Sequence, residues 1–473
     1  MAVSEETRKK YTPTIGIECH VQLKTKTKLF SGAGNDARQA APNTLISHID
    51  TGMPGALPVL NEKALELAAR AAFALNTQPQ KHSYFERKHY FYPDSPSGYQ
   101  ISQLNAPIIV GGSVEVTADG QKTSININRV QLEADAGKTT HPAGADYSLV
   151  DLNRAGTPLL EIVSEPQIHS PAQAKAYARE LYLLMKYADI SDVDLYHGNM
   201  RFDVNISVSP DTDKLGKRTE VKNLNSFRSV ENAVSYEIDR QIELYEKGQA
   251  VEQETRGWDE AKQKTTAQRL KEEAQDYRYM PEPDIPPIEL SDEYIEKIKS
   301  EMPKLPAEIR EILNKLSISP KVIDDLLDRQ EAVEAVLAVL ENAGPATARR
   351  AVFWILQAES IPKDLSTIVS LSMMVDESRL SSSAAKTLYV EIAKSGGDPE
   401  TVAKQWNLIQ ESDESEIDKI VTEVLEQNQP AAQDVKNGEM KAIGYLVGQV
   451  MAKSQGKANP QVAQEIIKKH LGL

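Results

Sequence analysis

The chain has 473 residues with 54 basic and 69 acidic side chains, a net charge of −15, and its 40% apolar and 6% aromatic content is ordinary for a globular protein. One cysteine excludes a disulfide within the chain and a thiolate zinc cage, and the acidity argues against a surface that coats nucleic acid throughout while leaving room for a local basic patch. No apolar run of membrane-spanning length follows the polar start Ser4-Glu5-Glu6-Thr7, so a protein of the bacterial cytosol or an organelle matrix, with no membrane attachment, is expected.

In chain order, the first element is a strand over Ile15–Leu23. Period two sends Ile15, Ile17, Cys19, Val21 and Leu23 to one face and Gly16, Glu18, His20 and Gln22 to the other. Glu18 and His20 therefore project side by side, either as a pair for one divalent ion or as a solvated outer face. Cys19 falls on the apolar side, a poor place for a nucleophilic thiolate. A helix is predicted from Glu62 to Leu75. The stretch Arg87–Asp94, read as a loop, mixes bases with aromatics and includes Lys88 and Tyr90, which suit either nucleotide contact or ordinary packing.

Apolar residues change phase between Ile125/Ile127 and Val130/Leu132, which predicts a bulge near Asn128 that aims Arg129, Gln131 and Glu133 to one side. Gly137-Lys138-Thr139 is not a phosphate loop, because the position five before Gly137 is Leu132. Glu161 interrupts the apolar run Leu159-Leu160 and Ile162-Val163, so it needs a salt-bridge partner or a metal. Ser170 and Pro171 mark the start of a helix running to Tyr187. A second half-polar strand, Arg201–Val208, puts Arg201, Asp203, Asn205 and Ser207 on one face, and Glu220 and Lys222 extend that charged surface from a neighbouring strand. Such a face suits phosphates held through a metal, or is simply solvated.

The proline-dense stretch Pro281–Pro287 reads as a stiff connector. Beyond Pro306 the spacing becomes helical, with Gly344 the one glycine between Arg310 and Lys394, and Gly396-Gly397-Asp398-Pro399 is a further break. From Pro430 to Leu473 there are six lysines and three acids, a local +3. Lys441, Lys453, Lys457, Lys468 and Lys469, on helices broken at Gly456, suit either sequence-independent phosphate contact or a solvated surface.

Taken together, several motifs resemble the GatB family, the B subunits of aspartyl/glutamyl-tRNA amidotransferases. They are Ile17-Glu18-Cys19-His20-Val21-Gln22-Leu23, Tyr90-Phe91-Tyr92-Pro93-Asp94, Gly98-Tyr99-Gln100-Ile101-Ser102-Gln103, Asp151–Glu161, Lys222-Asn223-Leu224-Asn225-Ser226-Phe227, Gln253-Glu254-Thr255-Arg256 and Tyr277–Asp284. The resemblance runs in order from about residue 12 to the end.

It implies an α+β cradle domain over 1–295 with a largely antiparallel, glutamine-synthetase-like sheet, an all-α domain over 296–403 and a YqeY-like tRNA-binding tail over 404–473. It implies ATP and Mg2+ as cofactors. The side-chain carboxylate of Glu-tRNA(Gln) or Asp-tRNA(Asn) is phosphorylated, and ammonia displaces the phosphate. The implied partners are the amidase (A) subunit, which supplies that ammonia, and the small (C) subunit, which clamps the pair. By motif, Glu18, His20, Glu161 and Asp203 would be catalytic metal ligands and Glu133 a fifth. Two positions depart from the family pattern: Ala134 follows Glu133 where two acids are usual, and His197 replaces an acid before Gly198. The alternative is a tRNA-binding scaffold protein of the same complex with impaired phosphorylation.

Overall fold

The computed structural model describes residues 3–270, 276–410, 414–454 and 457–473; the break expected at Gly456 lies outside them. The chain divides into two compact units, Met1–Pro306 and Ala307–Leu473.

The first unit is organised by a sheet that, among the described residues, has nine strands. In chain order these are β1 (Thr12–Gln22), β2 (Ile109–Val110), β3 (Ser113–Ala118), β4 (Gln121–Ala134), β5 (Pro158–Ser164), β6 (Met200–Ser209), β7 (Thr219–Leu224), β8 (Glu254–Asp259) and β9 (Lys264–Leu270). The spatial order is β9-β8-β7-β6-β1-β5-β4-β2, with β3 also pairing β4. The β7–β8 pair is parallel and the others antiparallel, which agrees with the α+β class expected.

Alternation along β1 and β6 decides which face is covered. Ile15, Ile17, Cys19 and Val21, with Phe202, Val204, Ile206 and Val208, are buried in one apolar cluster. Into it pack Tyr177, Leu181 and Met185 of helix α2 (Pro171–Tyr187) and Val230, Val234 and Ile238 of α3 (Phe227–Glu246). Each fully buried Ile, Leu or Val contributes about 1.5–3 kcal/mol, so this side of the sheet is fixed and the opposite pleat carries the polar side chains.

The expected helix boundaries are found. Helix α1 spans Glu62–Ala74, preceding α2 in the chain, with Leu75 as its C-terminal cap. Helix α2 starts at Pro171, and the Gln173 N–H donates to Ser170 Oγ at 3.1 Å. The bulge is also present: Val163 faces Arg129 whereas Ser164 faces Ile127, leaving Asn128 as the extra residue.

Two expectations are corrected. Arg87–Asp94 is not all loop, since Glu86–His89 forms a strand between Tyr99–Ser102 and Met280–Pro281. The proline-dense connector is tied down at both ends, by that pairing and by Ile288–Glu289 against His82–Ser83. Arg87 clamps it, donating to Glu282 at 2.7 and 2.8 Å. Proline is tolerated there because an edge position needs no donor on its outer side.

The second unit is helical in its described residues. Its helix Gln330–Ile355 is kinked where Gly344 takes φ 79° before Pro345. The break at 396–397 separates helix Ser382–Ser395 from Pro399–Gln405, which is capped by Asp398. Helices Glu414–Gln427, Gln429–Lys436, Lys441–Lys453 and Pro460–Leu471 share a core of Ile417, Val421, Val435, Leu446, Val450 and Ile467. No described helix is long and apolar enough to cross a membrane.

Candidate active site

The polar pleat of β1, β4, β5 and β6 brings distant acids together by strand register. His20 stands opposite Glu161 on β5 and opposite Arg201 on β6; Glu18 stands opposite Asp203; Glu133 of β4 stands opposite Leu159, one step along the same face from Glu161. Directly opposed Cβ atoms lie about 4.5–5.5 Å apart, closer than i and i+2 on one strand at about 6.7 Å.

His20, Glu133 and Glu161 form a compact group whose potential ligand atoms all lie within 4.8 Å of one another. His20 Nε2 is 4.0 Å from Glu161 Oε2. Ser102 Oγ donates to Glu133 Oε2 at 2.8 Å and fixes its rotamer. Burial pushes both carboxyls above the usual range, and their mutual repulsion raises Glu161 further. Two crowded carboxylates and an imidazole suit a divalent cation. Mg2+ typically takes one or two protein carboxylates beside substrate phosphates and water; the carboxylates suit Mn2+ as well, and the imidazole is the softer donor of the three.

Glu18 and Asp203 share this face but are not members of that group. The Asn205 amide donates to Glu18 Oε1 at 2.9 Å. Lys222 Nζ donates to Asp203 Oδ2 at 2.7 Å and lies 2.9 Å from Glu220 Oε1. Of the expected Glu18–His20 pair, His20 belongs to the compact group, while the Glu18 carboxylate is held by Asn205 beside it. Burial, with Glu161, Glu220 and Asp203 nearby, raises the Glu18 carboxyl. Burial pulls the Lys222 ammonium down, but Asp203 and Glu220 outweigh it and hold it above the usual lysine range.

Among the described residues, cations around the face include Lys88, Arg201, Lys222 and Arg129, whose Nε donates to Gln131 Oε1 at 3.0 Å. Lys88, on strand Glu86–His89, sits over the Tyr277 ring at 5.1 Å. Burial would lower its ammonium, yet Glu133 and Glu161 leave it raised. Tyr90 follows that strand with its ring stacked on Tyr92, centroids 5.9 Å apart. Arg201 Nη2 donates to Asp135 Oδ2 at 3.1 Å, and its buried Nε has no hydrogen-bond partner among the described residues. That N–H is buried and unpaired, at the strand position opposite His20.

Asp135 was not among the expected site residues. It takes Arg201 on one side and Arg154 Nε, 3.3 Å away, on the other. Burial works against its charge, but the two guanidiniums prevail and lower its pKa. The signal available was its place two residues after Glu133, on the same pleat.

The two departures lie away from the group. Ala134 is on the opposite pleat, across from Pro158 and against the apolar core. His197 bonds Asp194 at 2.6 Å in an exposed turn. Cys19 is fully buried, and burial pushes its thiol up, as its apolar face implied. In the second unit Lys453 pairs with Glu423 at 2.5 Å, Lys441 opens one helix, and Lys468 and Lys469 lie in the last turn of another.

Residues 13–296 match the family of the GatB/GatE catalytic domain and residues 355–471 that of the GatB domain. The chain is 42% identical over 480 residues to the B subunit of the aspartyl/glutamyl-tRNA(Asn/Gln) amidotransferase of Thermotoga sp. (strain RQ2), covering 98% of this chain and 99% of that one. It is likewise 42% identical to the corresponding B subunits of Geobacillus kaustophilus (98% and 99% covered) and Listeria monocytogenes serotype 4b (97% and 98% covered). With both domain families matched and identity sustained along the whole length, the acid-lined sheet is that of a member of the GatB family.

Proposed function

We propose that this chain is the B subunit of a glutamine-dependent tRNA amidotransferase acting on Glu-tRNA(Gln), Asp-tRNA(Asn) or both, in the bacterial cytosol. A carboxylate is a poor acceptor for ammonia until one of its oxygens becomes a leaving group. The substrate carboxylate oxygen attacks the γ-phosphorus of ATP and ADP departs. Ammonia then attacks the acyl carbon and inorganic phosphate leaves, giving the amide. Ammonia comes from the amidase (A) subunit, and the small (C) subunit completes the complex. Residues 1–295 carry this chemistry, 296–403 connect, and 404–473 contact tRNA through Lys441, Lys453, Lys457, Lys468 and Lys469.

The observation that carries this reading is the meeting of His20, Glu133 and Glu161 with Arg201 opposite His20. These three residues would hold Mg2+, which supplies charge neutralisation at the phosphates when bound. Arg201 and Lys88 face the same space and bind anionic oxygens. Lys222 holds Asp203 and Glu220 in place, and Glu18, held by Asn205, completes the acidic floor.

The test uses the assembled complex with Glu-tRNA(Gln) and ATP, following ADP release that depends on that tRNA. Glu161→Gln and Asp203→Asn are each expected to cut release about 100-fold or more, with the Kd for tRNA changed less than twofold. A wild-type complex that binds tRNA and releases no ADP would overturn the reading.

A further inference from the structure

The turn that leads into β6 carries an aromatic pair that none of the roles above uses. Tyr196 is 92% exposed, the most exposed large apolar side chain among the described residues. Its ring meets that of His197 edge-to-face, with centroids 5.1 Å apart and planes at 90°. One carboxylate fixes the backbone beneath both. The Tyr196 and His197 N–H groups donate to Asp194 Oδ1 at 2.9 and 3.1 Å, and His197 Nδ1 bonds Oδ2 at 2.6 Å. The His197 side chain and amide hold the Asp194 carboxyl below its usual range, so this cap is charged at neutral pH.

Both ends of the turn are anchored. Val193, buried just before it, has φ 47°. A β-branched residue rarely adopts that left-handed conformation, and such strain persists at functional sites where the surroundings enforce it. The Val193 N–H donates to Ser191 Oγ at 3.1 Å. At the far end the turn closes on β1: the Gln22 N–H donates to the Asn199 carbonyl at 2.8 Å, and the Asn199 amide donates to Gln22 Oε1 at 3.0 Å. Gln22 is the residue after His20 on the same pleat. An aromatic pair is thus held in solvent at the end of the strand that carries His20.

An exposed ring braced by a second ring suits a planar partner, and unpaired RNA bases are recognised by stacking on aromatic side chains. The charges nearby select a base over a phosphate. Lys24 pairs with Asp189, and Arg38 with Asp36 and Asp192, so with Asp194 the carboxylates around the turn outnumber the cations. That surplus repels phosphate, whereas carboxylates accept from the exocyclic amino groups of bases. Reach agrees with this. Nine bonds join a glutamyl side-chain carboxyl carbon to the base of the nucleotide that carries it, about 11 Å at 3.8 Å per three bonds. Tyr196 and Arg201, which stands opposite His20, are separated by at most about 18 Å of chain. The true span is shorter, because the Asn199 N–H donates back to the Asp194 carbonyl at 2.9 Å. We propose that Tyr196, backed by His197, is the stacking platform for the 3′-terminal base of the aminoacyl-tRNA. This rests on the proposed tRNA substrate, and it makes Tyr196 a determinant of substrate affinity that acts through the base, separately from the tail lysines.

The experiment measures the Kd of the assembled complex for tRNA(Gln) and tRNA(Asn), each intact and lacking its unpaired 3′ nucleotides. Tyr196→Ala, at a side chain outside the core, is expected to raise the Kd of the intact substrate tRNA about tenfold, the worth of one stacked base. The truncated form should change by less than about twofold. Tyr196→Trp, which keeps a stacking ring, should bind intact tRNA within about twofold of wild type. The slope of log Kd against log salt should be the same in all three proteins, because stacking releases no counterions. Equal losses for intact and truncated tRNA, or no loss for either, would overturn the platform. So would departure of a subunit from the Tyr196→Ala complex on gel filtration, which would make the turn a protein contact. If the wild-type complex binds intact and truncated tRNA equally, the platform fails and the tRNA reading stands; if it binds neither tRNA in any form, the substrate reading fails and the platform with it.

Discussion

His20 on β1 and Glu161 on β5 face each other across the antiparallel ladder, Nε2 4.0 Å from Oε2, although 141 residues (161 − 20) separate them in the chain. Glu133 closes the group from the next strand. Three strands that meet only in the folded sheet thus concentrate charge on its polar face, and that concentration has measurable consequences.

The first concerns pH. Glu133 and Glu161 are both raised above their ordinary value of 4.5, chiefly by burial. A carboxyl whose pKa is higher in the folded than in the unfolded chain favours folding below that raised pKa, and the contribution is lost as pH rises through it. For these two groups, stability without divalent ions is expected to be greater near about pH 5 than near about pH 8. Mg2+ binding to the ionised pair should then give a larger Tm gain at the higher pH. Differential scanning fluorimetry with and without Mg2+ checks this for wild type against Glu161→Gln, which should flatten the dependence. A larger gain at acidic pH would contradict it.

Restoring the family's second acid at 134 is expected to gain nothing. Ala134 is on the opposite pleat from Glu133, packed against the apolar core and at the edge of a cavity lined also by Asp50, Asp94 and Asp135, and it is not in the His20 group. Ala134→Glu should leave Mg2+ affinity within about twofold, because ligands must share a face to share an ion. It should lower stability by about 1–3 kcal/mol through overpacking and burial of an acid. Calorimetric titration with Mg2+ and urea unfolding give the two numbers; tighter Mg2+ binding would place position 134 in the metal group.

Asp135 joins Arg201 to Arg154. Its pKa is lowered by those guanidiniums against the effect of burial, so its stabilisation is present at neutral pH and lost as the solution is acidified. Asp135→Ala is expected to cost about 2 kcal/mol, below the 3–5 of a fully buried pair because both arginines reach solvent. It should also release the Arg201 side chain and raise KM for ATP several-fold. A variant with unchanged urea midpoint and unchanged KM would show that the bridge positions nothing.

The tail lysines differ among themselves. Lys453 is already paired with Glu423, whereas Lys468 and Lys469 stand in the last turn of helix Pro460–Leu471. Replacing both Lys468 and Lys469 with Gln should weaken tRNA binding and lower the slope of log Kd against log salt by about one unit per lost phosphate contact. Lys453→Gln should change that slope less. Filter binding at several salt concentrations measures both, and a larger effect at Lys453 would reverse the assignment.

Local patterning made much of this protein legible. Strict alternation in Ile15–Leu23 and Arg201–Val208 settles which side chains are buried, because period two leaves each residue one of two faces. The cap at Ser170 and the phase slip at Asn128 are equally local, depending on neighbours within a few residues. The motifs in order were enough to identify the family. What alternation cannot specify is which strand lies beside which. Only the order β6-β1-β5-β4 decides that His20 meets Glu161 and Glu133 while Glu18 turns to Asn205 and Asp203 to Lys222. The same holds for Asp135, whose role depends on two arginines brought in from other segments. The physical reason is range: side-chain direction is set by the chain's own dihedral repeat, whereas ligand-forming distances of a few ångströms are set by hydrogen-bonded pairing between segments remote in sequence.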